Sequence, residues 1–168
     1  MSDKSLQKPI FKFLKTDAGV KLANVNGAVT PVVFKIAKAG TGKLFITEMH
    51  IQYGDTSNWS ADEFGDITPV LPNGISVAIH KISDDSVEVD LTDGLPIKSN
   101  AEWGRFAFEN AIAAYGSGAD FQRVRWDFVK NGIPLHIEED EYFAVTINDD
   151  LTGLTDLTFM MHGFEINE

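Results

Sequence analysis

The chain has no cysteine among its 168 residues. That excludes a disulfide framework, a thiolate metal cage and a cysteine nucleophile, and it fits either redox compartment. No apolar run approaches the roughly 18 residues that a membrane-spanning helix needs. The first residues form no apolar block of the signal-peptide kind, so a soluble protein made in the cytosol is expected. Histidine is scarce: His50, His80, His136 and His162 are all there are. They stand singly, without the His-x-His strand of a jelly-roll metalloenzyme and without a carboxylate at a supporting offset. Each therefore reads as a surface or half-buried side chain, and no metal is expected. Positive charge is also short, with 14 Lys+Arg against 25 Asp+Glu and a net charge of −11. Such a surface repels phosphate, which excludes nucleic acid and anionic membrane as partners of the body of the protein.

Sequence signatures of catalysis are missing too. Ala39-Gly40-Thr41-Gly42-Lys43 resembles a phosphate loop only superficially. Ala37 stands where the first glycine belongs and Leu44 where a magnesium-binding hydroxyl belongs, so a hairpin turn is expected. No Gly-x-Ser-x-Gly elbow exists, and Gly116-Ser117-Gly118 reads as a loop. Asn58-Trp59-Ser60 is a glycosylation sequon that carries no weight without a secretory signal. The acidic runs Asp84-Asp85, Glu138–Glu141 and Asp149-Asp150 match no calcium loop and read as solvated charged turns. Paired carboxylates for glycoside hydrolysis are defined by separation in space, so the many acids here carry no signal. A non-enzyme without a cofactor is the expectation.

What is present is a core. The chain is 43% hydrophobic, with twelve Phe, three Trp and three Tyr, and 23% charged, which suits one folded domain. The charge is uneven. Lys4, Lys8, Lys12 and Lys15 face only Asp3 in residues 1–15, a net of about +3 that leaves about −14 on the remainder. The expectation is a basic N-terminal arm over 1–15, able to dock on an acidic partner or another copy, followed by a single domain over 16–168.

The hydrophobic period is mostly two. Phe45, Thr47, Met49, Ile51 and Tyr53 share one face of a strand, with Glu48, His50 and Gln52 opposite. Ile75, Val77 and Ile79, then Val87, Val89 and Leu91, read as the inward residues of a hairpin. Val124, Trp126 and Phe128 alternate with Arg123, Arg125 and Asp127. Phe143, Val145 and Ile147 point inward, and a last strand spans about 155–166. Earlier strands are expected at Val20–Ala23, Pro31–Ala37 and Ile10–Leu14. Asn26-Gly27, Asn73-Gly74, Asp93-Gly94 and Asn131-Gly132 punctuate them. Single helical turns are expected in Ala101–Ala107, Asn110–Tyr115 and Ser60–Phe64. This pattern predicts an all-β protein, an antiparallel β-sandwich of jelly-roll type with one or two short helices. Asp90–Gly104 reads as the crossing between its sheets, ending on the buryable Trp103.

Two groups stand out as contact candidates. The long loop from Gly54 to Leu71 carries Trp59 and Phe64. Arg123 and Arg125 lie in line on one face of a strand, available to carboxylates of a neighbouring subunit or of a cross-strand residue.

Four segments resemble structural proteins from virions of tailed bacteriophages. They are Leu71-Pro72-Asn73-Gly74-Ile75, Asp90–Gly104, Tyr115–Phe121 followed by Val124-Arg125-Trp126, and Ile147–Leu154. The resemblance lies in their order and spans about residues 45–166. It implies a virion component, a β-sandwich on the head or at the head–tail region, with no catalytic residues. A capsid decoration or cement protein is expected, made in the bacterial cytoplasm and bound to the major capsid protein or neighbouring virion proteins. A homo-oligomer, with a trimer favoured, would suit that role. The alternative is a carbohydrate-binding sandwich on a tail or adsorption structure, with Trp59, Trp103 and Tyr115 as stacking platforms.

Overall fold

Among the described residues, alternating apolar and polar side chains form thirteen strands and one short helix. The computed structural model describes all residues except 1–6, 38–41, 56–58, 68–69, 107–108, 116–118, 130–133 and 167–168, and the backbone alone at 109–110, 112–115 and 119. In chain order the strands are β1 Gln7–Phe13, β2 Lys21–Leu22, β3 Val25–Asn26, β4 Val32–Ala37, β5 Lys43–Asp55, β6 Ile75–Lys81 and β7 Val87–Asp90. After the 3-10 helix Ala101–Arg105 come β8 Glu109–Tyr115, β9 Ala119–Asp127, β10 Leu135–Ile137, β11 Glu141–Ile147, β12 Asp150–Leu151 and β13 Asp156–Ile166. Among the described residues no helix is long and apolar enough to cross a membrane.

The larger sheet has the order β1-β13-β5-β9-β8, with β10 added to β5 and β2 to β13; the smaller is β4-β11-β6-β7. Every pairing is antiparallel. The chain passes from the smaller sheet at β4 to the larger at β5, back for β6 and β7, and so on to β13, which is jelly-roll topology. The expected all-β sandwich is present.

The core lies between the sheets. Phe34 and Ile36, Ile75, Val77 and Ile79, and Phe143, Val145 and Ile147 come from the smaller sheet. They meet Leu44, Ile46, Met49 and Ile51, Val124 and Trp126, and Leu157, Phe159 and Met161 from the larger one. Phe34 meets Phe159 edge-on across the gap, with ring centroids 4.8 Å apart. The crossing from β7 to β8 ends on Trp103, which is fully buried.

Several expectations need correction. Residues 7–13 are not an arm but strand β1, paired to β13 from Gln7↔Ile166 to Phe13↔Met160. Leu14 is fully buried, and Lys15 exchanges backbone hydrogen bonds with Lys35 of β4. Lys8 and Lys15 are therefore exposed side chains of folded structure, and Lys12 pairs with Glu165 at 2.5 Å. Lys4 lies outside the described residues. Asn110–Tyr115 belongs to β8 rather than a helical turn, because pairing with β9 outweighs the helix preference of its alanines. Ser60–Phe64 holds a turn and no helix. The hairpin β6–β7 exists, yet Val87 and Val89 are exposed, since β7 is the outer edge of the smaller sheet. The turns expected at Gly40–Thr41, Gly116–Gly118 and Asn131-Gly132 lie outside the described residues.

Phe45 and Thr47 also point outward, against the expected pattern. The register of β5 against β13 shifts at Gly163, where Glu48 faces His162 but Ile46 faces Gly163. Thr47 is the extra residue of a β-bulge, so the inward set runs Leu44, Ile46 before it and Met49, Ile51, Tyr53 after it.

Candidate functional site

The bulge builds the most polar cluster on the outward face of the larger sheet. Glu48 and His50 are two residues apart on β5 and so share that face. The shifted register sets His162 opposite Glu48 and Met160 opposite His50. On the other side of β5, Arg125 of β9 lies opposite His50. On β13's far side, Phe11 of β1 lies opposite His162. Four strands thus deliver Phe11, His162, Glu48, His50 and Arg125 to one patch.

Glu48 is its centre. Arg125 donates from Nε to Oε2 at 2.6 Å, a charge-assisted bond. The other oxygen, Oε1, lies 3.3 Å from His50 Nε2 and 3.3 Å from His162 Nδ1. Burial would raise the Glu48 carboxyl, but the Arg125 bond, His50 and their charges outweigh it and hold the group below its ordinary range. The two imidazoles stack with centroids 4.9 Å apart, and Phe11 packs edge-on against His162 at 4.8 Å. Side-chain exposures of 17% for Glu48, 33% for His50 and 40% for His162 leave the cluster reachable from solvent. It borders a groove of about 490 Å³ lined by Phe11, His50, Gln52, Arg123, Met160 and His162.

The same face continues toward β10 as a row of rings. Phe45 stacks on Phe164 on one side and on His136 on the other, each at 4.8 Å. Phe11 and Phe13 lie edge to face at 5.6 Å and are 55% and 36% exposed. The outward residues of the larger sheet are half-buried or exposed along β5 and β13, so this face is open to solvent.

The expected contact residues fare differently. Arg123 is exposed in the groove, with its guanidinium over the Phe121 ring at 5.4 Å. Arg125 is engaged within the chain by Glu48, the cross-strand alternative weighed for it. Phe64 is fully buried and stacked on Tyr53 at 4.6 Å, and Trp59 is half-buried against the same ring at 5.1 Å. Phe64 presents no open face and Trp59 only part of one, so both rings turn toward Tyr53. Asn100 ties that loop down: its Nδ2 donates to the carbonyls of Ser60 and Gly65, at 2.7 and 3.0 Å. The Tyr53 hydroxyl hydrogen-bonds to Asn100 and Gln122. Burial pushes that hydroxyl well above its ordinary range, with the Trp103 indole acting the other way.

The acidic runs are exposed turns, as expected, except for two buried carboxylates. Asp149 is buried and accepts from the Asn73 side chain and from the amides of Asn73 and Gly74, the last at 2.5 Å. Glu141 is buried and pairs with Lys81 at 2.9 Å. His80 stacks on Tyr142, and His136 pairs with Glu138 at 3.1 Å.

Reading the histidines one by one missed the Glu48–His50–His162 group. Half of the signal was present in Glu48-Met49-His50, a carboxylate and an imidazole at strand spacing. The other half needs the pairing of β5 with β13 and the bulge, neither of which has a sequence motif. Searches against protein-family models, curated proteins and solved structures found no match to this chain.

Proposed function

We propose that the chain is a noncatalytic structural protein that binds neighbouring subunits through the outward face of its larger sheet. The assembly we propose is the virion of a tailed bacteriophage, with the chain as a head decoration or cement protein on the major capsid protein. One observation carries this reading: an open sheet face bearing Phe11, Phe13, Phe45 and Phe164, with Phe11 55% exposed. Exposed apolar rings clustered on one surface mark contact sites. The edge beside them is closed to strand addition, because β1 carries Pro9, Lys8 and Lys12. Partners would therefore meet the face and not extend the sheet. The order of the four phage-like segments supports the choice of assembly. The carbohydrate reading lacks comparable support, since Trp103 is buried, Trp59 lies on Tyr53, and the Tyr115 side chain is outside the described residues.

The test is native mass by light scattering, with co-sedimentation on shells of the major capsid protein from the same genome. The expected outcome is a trimer that binds shells, and a Phe11→Ser/Phe13→Ser variant that keeps its fold and loses one or both associations. A folded wild-type chain that stays monomeric and never sediments with shells overturns the proposal.

A further inference from the structure

We infer that Glu48, His50 and His162 form a binding site for one divalent transition-metal ion of the zinc class. The inference rests on the geometry of this cluster and not on the assembly reading. The three side chains each offer a ligand atom, all within 4.8 Å of one another. Glu48 Oε1 is 3.3 Å from each ring nitrogen. Ligands at about 2.0–2.2 Å around a tetrahedral ion are separated by about 3.4 Å, so the carboxylate oxygen already stands at coordination spacing from both imidazoles.

At 3.3 Å each imidazole lies within ion-pair reach of Glu48 but beyond the about 2.7–2.9 Å of a charge-assisted N–H···O bond. His50 Nε2 is buried with no hydrogen-bond partner among the described residues. A buried ring nitrogen left in that state costs free energy, which a metal bond would recover. Neighbouring side chains hold the ligands in place. Arg125 engages Oε2 and so leaves Oε1 directed at the rings. Phe11 packs against His162, and the stacked imidazoles hold each other's orientation.

Two imidazoles and one carboxylate favour zinc, cobalt, nickel or copper over calcium or magnesium, which prefer oxygen alone. All three side chains are partly exposed, and His50 and His162 line the groove. The guanidinium of Arg125 opposes a second cation, so the site should be assayed without strong competing chelators.

The experiment is titration of the metal-free full chain with Co²⁺, read by visible absorption, and with Zn²⁺, read by calorimetry. One ion per chain is expected, with the intense absorption of a four- or five-coordinate cobalt site. His50→Ala, His162→Ala and Glu48→Gln should each weaken binding at least about tenfold, while His136→Ala and His80→Ala leave it unchanged. All five positions are at least partly exposed, and circular dichroism reports whether each variant keeps the β fold. A wild-type chain that binds neither ion overturns the inference. So does binding that survives His50→Ala/His162→Ala together, or that His136→Ala removes.

Discussion

Gly163 carries more of this fold than its size suggests. A Cβ built there would stand 1.9 Å from the Phe45 carbonyl oxygen and 2.9 Å from its carbon. Both are backbone atoms and cannot swing aside. The close approach is what lets β5 bulge at Thr47 and changes which of its residues point inward. Gly163→Ala is therefore expected to cost about 3 kcal/mol, the upper end for forced overpacking, seen as a lower denaturant midpoint. It should also disturb the metal titration, because His162 is the adjacent residue. Arg125 and Glu48 illustrate the same scale. Their 2.6 Å bond fixes one carboxylate oxygen and in doing so decides what the other can do.

Single turns set the strands' ends, and Asp90 is the clearest case. Its Oδ1 accepts from the Thr92 amide at 2.8 Å and the Thr92 hydroxyl at 2.7 Å, and its Oδ2 from the Gly94 amide at 2.9 Å. Burial acts to raise this carboxyl, but the Thr92 and Gly94 bonds prevail and lower it. A carboxyl lowered in the folded state contributes stability above its unfolded value of about 3.9, and that contribution fades as pH falls through the folded value. Asp90→Asn should cost about 1 kcal/mol at neutral pH, as expected for a partly exposed charged acceptor. The gap between variant and wild type should narrow as pH falls below about 4 in urea titrations. A gap independent of pH would contradict the assignment. Asp93-Gly94, just beyond, was legible in the sequence as a turn, and both residues have positive φ, 51° and 70°. So were β6, β9, β11 and β13 as strands. β5 was legible as a strand, with Met49, Ile51 and Tyr53 inward as expected, but not in the facing of Phe45 and Thr47, because a bulge shifts the pattern without leaving a residue type that announces it. The first strand, β1, was legible in part, at Ile10–Leu14, while the lysines around it resemble a solvated tail until β13 is seen beside them. The Glu48–His50–His162 group escaped for the same reason: it exists only once distant strands are in register.

At the scale of the molecule, β1 joins the two sheets. It pairs along β13 in the larger sheet, and at its end Lys15 bridges to Lys35 in the smaller one. The buried Leu14 sits between these connections. A chain lacking residues 1–15 should consequently lose cooperative unfolding and bind hydrophobic dye, in contrast to the intact fold expected for loss of a tail. A sharp, wild-type-like melting transition of the truncated chain would refute this.

The pairing of the first strand with the last also imposes an order on synthesis. β13 lies between β1 and β5, and Lys12 meets Glu165 across a separation of 153 residues. Until residues 156–166 leave the ribosome, β1 has no neighbour and β5 lacks one of its two long partners. The larger sheet can close only once residues 156–166 have emerged, and the loop-closure entropy makes that step slow. Through that interval Leu14 and the inward residues of β5 are unshielded, so chaperone supply should affect the yield of native protein.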